Sequence, residues 1–503
     1  MAARFWPAVV VAIVTLRAAL ARAPGWNPPS LWSDDLVWAA IANAREFPMA
    51  IGVPAHAGPG FFAVLWGLRA AFGDPEWSLQ VLPFVCGVTA IPLMAVVAWK
   101  LTNDRGLALL AASLTALNPL LTHYTVYVKQ YSLDFFVTAL VLLFAVWTLR
   151  SPIVQSRRFV QYAIGAGIAP LFSVTSVFAS FAVINLAAFR SWLQRRPIMP
   201  IVGAALVYDL LILACFMLLR SRANPLVTEA FGSGFMPTDS WGSASAFLLT
   251  EGRRLVETGL PTWRATDIWS PETVSWTLPI VACGLVWLVA RPSTRYLGLA
   301  VLGFVGSVLT ASALGMYPVG FDRTDIFAFP VVIVLFVMGV HALTAWLAKP
   351  ALPRLAVGLL IALFAAYAPI RAEYWAVNDS LLVRQLETAI TPADGLVLSP
   401  SGTFLVANYG NWPVVVSGTS LRTNGTRAEI DRPLTAHLPP RLTPGVPIDA
   451  LVFEFRPRRL WFVAFRYDRE WEVLAKIRER GYEPRVVAET TRGRLYVAED
   501  IGE

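Results

Sequence analysis

The sequence predicts a polytopic α-helical membrane protein with a small α/β domain at its C-terminal end. Three observations predict it. Hydrophobic residues make up 56% of the 503 residues and charged residues only 15%, against about 25% charge in ordinary soluble domains. Apolar runs near the roughly 20 residues that cross a bilayer recur from the N-terminus to residue 371. Beyond that point charges become frequent and the long apolar runs stop.

In chain order, the spanning segments are expected at 5–23, 78–99, 106–124, 132–149, 159–171, 173–190, 198–219, 273–290, 296–316, 326–347 and 354–371. The first contains Arg17 and has no obvious small-residue cleavage site, so it reads as a retained helix rather than a removed signal peptide. The run 59–72 is too short to span and is interrupted by Arg69, so it reads as a helix lying at the interface. Leaving it outside the membrane gives a regular pattern. Arg4, Lys100, Arg105, Arg150, Arg157, Arg158, Arg190, Arg195, Arg196, Arg291, Arg295, Lys349 and Arg354 all fall in alternate loops, with Asp104 as their one acid. This is the positive-inside pattern. It predicts about eleven spans, a cytoplasmic N-terminus and an extracytoplasmic C-terminus. Counting 59–72 as a span would flip every later loop.

The net charge of +8 thus reads as topology, not as a nucleic-acid footprint. Cys86, Cys215 and Cys283 lie inside apolar segments and form no metal or disulfide framework. The predicted organisation is a membrane domain, 1–371, followed by an extracytoplasmic α/β domain, 372–503. The membrane domain has a first outer loop at 24–77 and another at 220–272, which holds an amphipathic helix from Ser243 to Gly259. In the tail, Leu396–Leu398, Pro413–Val416, Leu460–Phe465 and Arg494–Val497 read as strands. Glu470–Arg480 reads as a helix stopped by Gly481.

The chemistry-bearing residues gather on the outer side. Asp34 and Asp35 sit side by side in the first outer loop, between Trp32 and Trp38. Two carboxylates at the mouth of a membrane bundle suit a base or a metal ligand; as N-caps of a helix starting near Leu36 they would instead be structural. Lys129 and Arg323 fall at outer ends of spans, near Tyr124, Tyr127, Tyr131 and Tyr317. Arginine suits bidentate capture of phosphate and lysine acts as a point charge, whereas basic residues at helix ends also snorkel to headgroups. His56, Tyr131 and Tyr317 are candidates for substrate contact. The sequence requires no cofactor. A divalent ion on Asp34 or Asp35 is left open, with no clear further ligand.

These residues resemble a known group. Leu31-Trp32-Ser33-Asp34-Asp35 is similar to the W-x-D-E/D first-loop motif of the GT-C membrane glycosyltransferases. His56-x-x-Pro59-Gly60-Phe61 falls where that group often has H/Q-x-x-P. Lys129-Gln130-Tyr131-Ser132-Leu133-Asp134 resembles its R/K-x-Y-S-x-D signature, and Tyr317-Pro318-x-Gly320-x-x-Arg323, followed by Pro330, its late P-x-x-x-R motif. The resemblance covers roughly 5–350. It points to the bacterial branch related to dolichyl-phosphate-mannose protein mannosyltransferases and lipid A aminoarabinose transferase. It implies an enzyme of the bacterial inner membrane that takes a sugar from a polyprenyl-phosphate donor and gives it, with inversion, to a glycan, lipid or protein acceptor. By position, Asp34 matches the general base and Asp35 its neighbouring acid, while Lys129 and Arg323 match the basic residues near the lipid phosphate. Asp35 stands where Glu is commoner, and Tyr127 where many relatives have an acid.

The rival classes are a lipid-linked-sugar flippase and a non-catalytic membrane scaffold. A flippase would be expected to show internal repeats and polar residues at mid-membrane; the chain shows neither clearly, and its polar residues gather on one face. The topology is checked by single cysteines: Asp74→Cys should react with an impermeant thiol reagent added outside the cell, and Asp104→Cys should not. The reverse pattern would overturn the topology and the site with it.

Overall fold

A computed structural model describes residues 2–23, 35, 38–39, 42, 58–73, 76–151, 156–194, 199–220, 232–260, 274–320, 323–346, 380–389, 394–398, 414–417, 427–430, 459–465, 470–490 and 493–501. The chain divides into two compact units. The first comprises Met1–Ala23, Leu82–Ala223 and Val227–Ile370; the second comprises Pro24–Val81, Asn224–Leu226 and Arg371–Glu503.

The described helices are α1 (Ala2–Arg22), α2 (Pro59–Phe72), α3 (Glu76–Thr102), α4 (Arg105–Leu117), α5 (Pro119–Tyr124), α6 (Tyr131–Leu149), α7 (Ser156–Ile168), α8 (Ser176–Leu193), α9 (Met199–Arg220), α10 (Trp241–Gly259), α11 (Val274–Ala290), α12 (Arg295–Ala313) and α13 (Phe329–Trp346). Among the described residues, five stretches are long and apolar enough to cross a membrane: Glu76–Thr102, Tyr131–Leu149, Ser176–Leu193, Arg295–Ala313 and Thr324–Trp346. The molecule is therefore a multi-pass membrane protein. The expected span 354–371 lies outside the described residues.

One expected span is broken. The run 106–124 is two helices, α4 and α5, separated at Asn118. Pro119 has no N–H to give and forces the residue before it out of the helical region, and Asn118 is extended, with ψ 119°. Its amide then does two jobs. Oδ1 accepts from Leu121 N at 2.9 Å and caps α5, while Nδ2 donates to Thr258 O at 3.0 Å and Gly259 O at 3.1 Å at the end of α10.

Within the first unit α11 packs on α13, α8 on α12, and α7 on α9. The α11–α13 contact is backbone-close: a Cβ on Gly284 would strike Leu335 O, and one on Gly339 would strike Ile280 O. Small residues are what permit such approach between membrane helices. At the end of α1 the buried Arg22 donates to Gly87 O and Ala116 O, each at 3.4 Å, and to Thr122 Oγ1 at 3.3 Å. Ala116 lies in the last turn of α4, where unsatisfied carbonyls favour a cation.

The second unit contains α2, α14 (Ser380–Ala389), α15 (Glu470–Glu479) and six described strands. These are β1 (Gly395–Leu398), β2 (Val414–Ser417), β3 (Arg427–Ile430), β4 (Arg459–Phe465), β5 (Tyr482–Glu489) and β6 (Gly493–Asp500). β3 and β5 are strands where none was expected. The main sheet has the order β1-β4-β6-β5, with β1 parallel to β4 and the other pairs antiparallel; β2 and β3 pair separately. Leu460, Phe462, Ala464, Tyr496 and Ala498 form its core with Ile477 of α15. The predicted glycine stop is present: Gly481 takes φ +82° just beyond α15, the left-handed conformation that ends many helices.

Asp394, buried just before β1, ties that strand to β4. Its carboxylate accepts from Arg459 Nε at 3.0 Å, Arg459 Nη2 at 2.9 Å and Trp461 Nε1 at 3.2 Å. Asp394→Ala would leave the indole N–H without this acceptor and should cost about 1.5–3 kcal/mol, as for hydrogen bonds to charged groups. Limited proteolysis of the full-length protein measures it: cleavage within 380–501 should speed up, and an unchanged rate would show that the tie contributes nothing.

Candidate functional site

In the first unit, two turns carry the predicted basic residues. The first runs from the end of α5 to the start of α6. Here Lys129 N donates to Tyr127 O at 2.8 Å, and Asp134 N to Gln130 O at 2.8 Å. Lys129 is buried, 7% exposed, so it is not simply extended to lipid headgroups. Aromatic rings surround this turn. Tyr124 meets Tyr131 edge to face at 4.8 Å and Tyr127 at 5.7 Å, and His123 lies 4.3 Å from Tyr127.

The second turn runs from the end of α12 to a short 3-10 helix, Thr324–Ala328, that leads into α13. It is held at three points. Tyr317 Oη donates to Thr324 O at 2.6 Å, Gly320 N donates to Asp325 Oδ2 at 2.8 Å, and Val319 N donates to Gly234 O at 2.7 Å. Arg323 is the residue that caps the 3-10 helix and is partly buried. Gly320 has φ +93°, and a Cβ there would run into the Glu251 carboxylate of α10.

The two turns belong together. α6 packs against the 324–328 helix. Burial, with Asp325, Asp134 and Tyr131 close enough to act on it, pushes the Tyr317 phenol well above the usual tyrosine range. The hydroxyl therefore stays protonated and remains a donor to Thr324 O. The structure thus brings Tyr131, Tyr317 and the turns of Lys129 and Arg323 into one neighbourhood. Asp134, buried in the first turn of α6, lies in it too. Asp325 and Glu251 were not singled out from the sequence. The one available signal was that Asp325 stands two residues after Arg323; Glu251 is more than 60 residues away in sequence.

The acid pair belongs to the second unit. Asp35 is helical and buried, as are Trp38, Ala39 and Ala42. That i, i+3, i+4, i+7 spacing is one face of a helix. Trp38 stacks on Phe62 at 5.1 Å and meets Phe61 edge-on at 5.9 Å, so Asp35 lies on the face that packs on α2. Asp34 and His56 lie outside the described residues. Among the described residues no three His, Cys, Asp or Glu side chains group as a metal site would.

The geometry makes Gly320 a test of the second turn. Gly320→Ala forces a strained φ and displaces Glu251, at a cost of about 1–3 kcal/mol. The thermal unfolding midpoint in detergent should fall; an unchanged midpoint would mean that the turn carrying Arg323 is not held as described.

No protein-family model matches the chain, and no curated protein matches it in sequence. Its fold does match solved structures. ArnT from Cupriavidus metallidurans in the apo state superposes with a TM-score of 0.59 at 14% identity, covering 99% of this chain and 98% of that one. The same protein bound to undecaprenyl phosphate gives a TM-score of 0.56 at 13% identity, covering 98% of each chain. The chain therefore has the ArnT-like fold along nearly its whole length, and the resemblance to GT-C enzymes read from its motifs holds at the level of architecture.

Proposed function

We propose that this protein is an inverting glycosyltransferase that moves a sugar from a polyprenyl-phosphate donor to an acceptor hydroxyl on the outer face of the membrane. One observation carries the reading. The turns of Lys129 and Arg323, far apart in sequence, lie in one neighbourhood of a membrane fold whose counterpart has been solved with undecaprenyl phosphate bound. In this reading the two cations face the phosphate of the donor lipid at the outer side of the membrane.

The chemistry follows from the side chains. An acceptor hydroxyl becomes a useful nucleophile when a base takes its proton, and Asp34 fills that role. Asp35, committed to the packed face with Trp38, suits the supporting position beside it. As the acceptor oxygen bonds to the anomeric carbon, the bond to the phosphate oxygen breaks. The leaving phosphate needs no proton, only stabilisation of its charge, which Lys129 and Arg323 give. One displacement inverts the anomeric centre. Tyr131, Tyr317 and His56 are assigned to contacts with donor or acceptor.

Two measurements test this. Asp34→Asn should lower transfer from a labelled polyprenyl-phosphate sugar by ~10²–10⁴, the usual loss with a general base, with expression unchanged. Wild-type turnover would remove Asp34 from the mechanism, and an inactive Asp35→Asn beside an active Asp34→Asn would exchange their roles. Lys129→Ala and Arg323→Ala should each weaken donor binding about tenfold or more, since charged hydrogen bonds are worth roughly 1.5–3 kcal/mol. Arg220→Ala, at the end of α9, is the control. Equal small effects in all three would reduce the phosphate site to general surface charge.

A further inference from the structure

The transfer chemistry leaves unused a polar pair set at half the depth of the membrane. Asp209 lies near the midpoint of α9 (Met199–Arg220), and Asn185 near the midpoint of α8 (Ser176–Leu193). At about 1.5 Å per residue, Asp209 is about 15 Å from either end of its helix, half the thickness of a ~30 Å hydrocarbon core. Asn185 Nδ2 donates to Asp209 Oδ1 at 3.1 Å and to Phe181 O at 3.1 Å. A primary amide has two N–H donors, and both are spent. What remains on the pair is acceptors only, Asn185 Oδ1 and the rest of the carboxylate.

The pair opens sideways, away from the bundle core. Both residues are partly exposed. One helical turn on either side of Asn185 stand Phe181 and Phe189, and one turn on either side of Asp209 stand Leu206 and Leu213. All four are exposed, by 42 to 58%. This is an apolar groove between two packed helices with an acid at its centre. An ionisable side chain at that depth is costly and is ordinarily paired or functional.

We propose that the α8–α9 groove is an assembly site for a transmembrane helix of another protein, one that carries a lysine or arginine at mid-span. Charge decides the occupant. A second copy of this groove would bring carboxylate to carboxylate and acceptors to acceptors. The cations on α8 and α9 themselves, Arg190 and Arg220, sit near or at the helix ends, and Arg190 is engaged with Leu149 O and Ser151 O. The chain's own expected last span has no side-chain donor from Leu355 to Ala366. A foreign helix with a central cation supplies both the charge and the donors that the pair lacks, and its apolar flanks fit Phe181, Phe189, Leu206 and Leu213.

The test uses the full-length protein in lipid vesicles with synthetic helices of about 20 residues, built of leucine and alanine, with a central arginine, lysine or leucine. Association is read by energy transfer between labels. The cation-centred helices should bind at least tenfold more tightly than the leucine-centred one. Asp209→Asn should remove that preference, Asp209→Glu should keep it, and Leu206→Trp with Leu213→Trp should block binding while leaving the pair intact. Equal binding of all three helices overturns the proposal, as does a preference that survives both Asp209→Asn and the tryptophan block. Self-association of the labelled protein that Asp209→Asn abolishes overturns it too, and assigns the groove to a second copy.

Discussion

Hydrocarbon offers no partner to a backbone N–H or C=O, so every polar group within it must be satisfied by the protein itself. The architecture depends on that constraint. It makes the spanning segments helical and sends charges to the helix ends. There the charges find work. Arg150 donates to Lys100 O and, at 2.9 Å, to Leu101 O at the end of α3; Arg190 donates to Leu149 O at 2.6 Å at the end of α6. The same arginines that form the positive-inside pattern thus also close the C-terminal ends of neighbouring helices, where the dipole favours a cation.

The candidate site is built where this regularity is deliberately interrupted. Pro119 breaks a long apolar run, and the freed Asn118 amide fastens α10 to the break. Gly320 turns left-handed, and Asp325 and Tyr317 hold the turn that presents Arg323. α10 takes part in both, through Thr258 and Gly259 at its end and through Glu251 against Gly320. The amphipathic helix α10 is therefore a brace between the Asn118 break and the Gly320 turn, as well as an apolar face against α13. A rigid scaffold carrying functional groups on short, pinned turns is the usual arrangement for binding and catalysis.

The second unit follows a different solvent's rules. Its central strand β4 is buried from Leu460 to Ala464, its helix α15 ends on a glycine, and its buried acid Asp394 is met by a bidentate arginine and an indole. Burying a carboxylate is tolerable only when its oxygens are met. The same requirement applied to Asp209, which has one neutral donor in a far less polar place, is what marks the α8–α9 groove as unfinished.

The sequence by itself determined the fold class, the segments that are helical and the ends where the charges gather, because length, hydropathy and loop charge are local properties that the bilayer reads directly. It also identified Lys129, Tyr131, Tyr317 and Arg323 as candidates, since each stands beside a helix end. It did not reveal that 106–124 is broken until Asn118 is seen extended, and it missed β3 and β5, whose pairing partners lie elsewhere in the chain. Only the tertiary structure decided which groups meet. Asp325 and Glu251 look like ordinary acids until Gly320 folds against both, and Asp35 is buried on a helix face that packs on Phe61 and Phe62 through Trp38. Asn185 and Asp209 lie on separate helices, and nothing local to either predicts the other. Contacts between distant residues depend on packing, and packing is set by the whole chain.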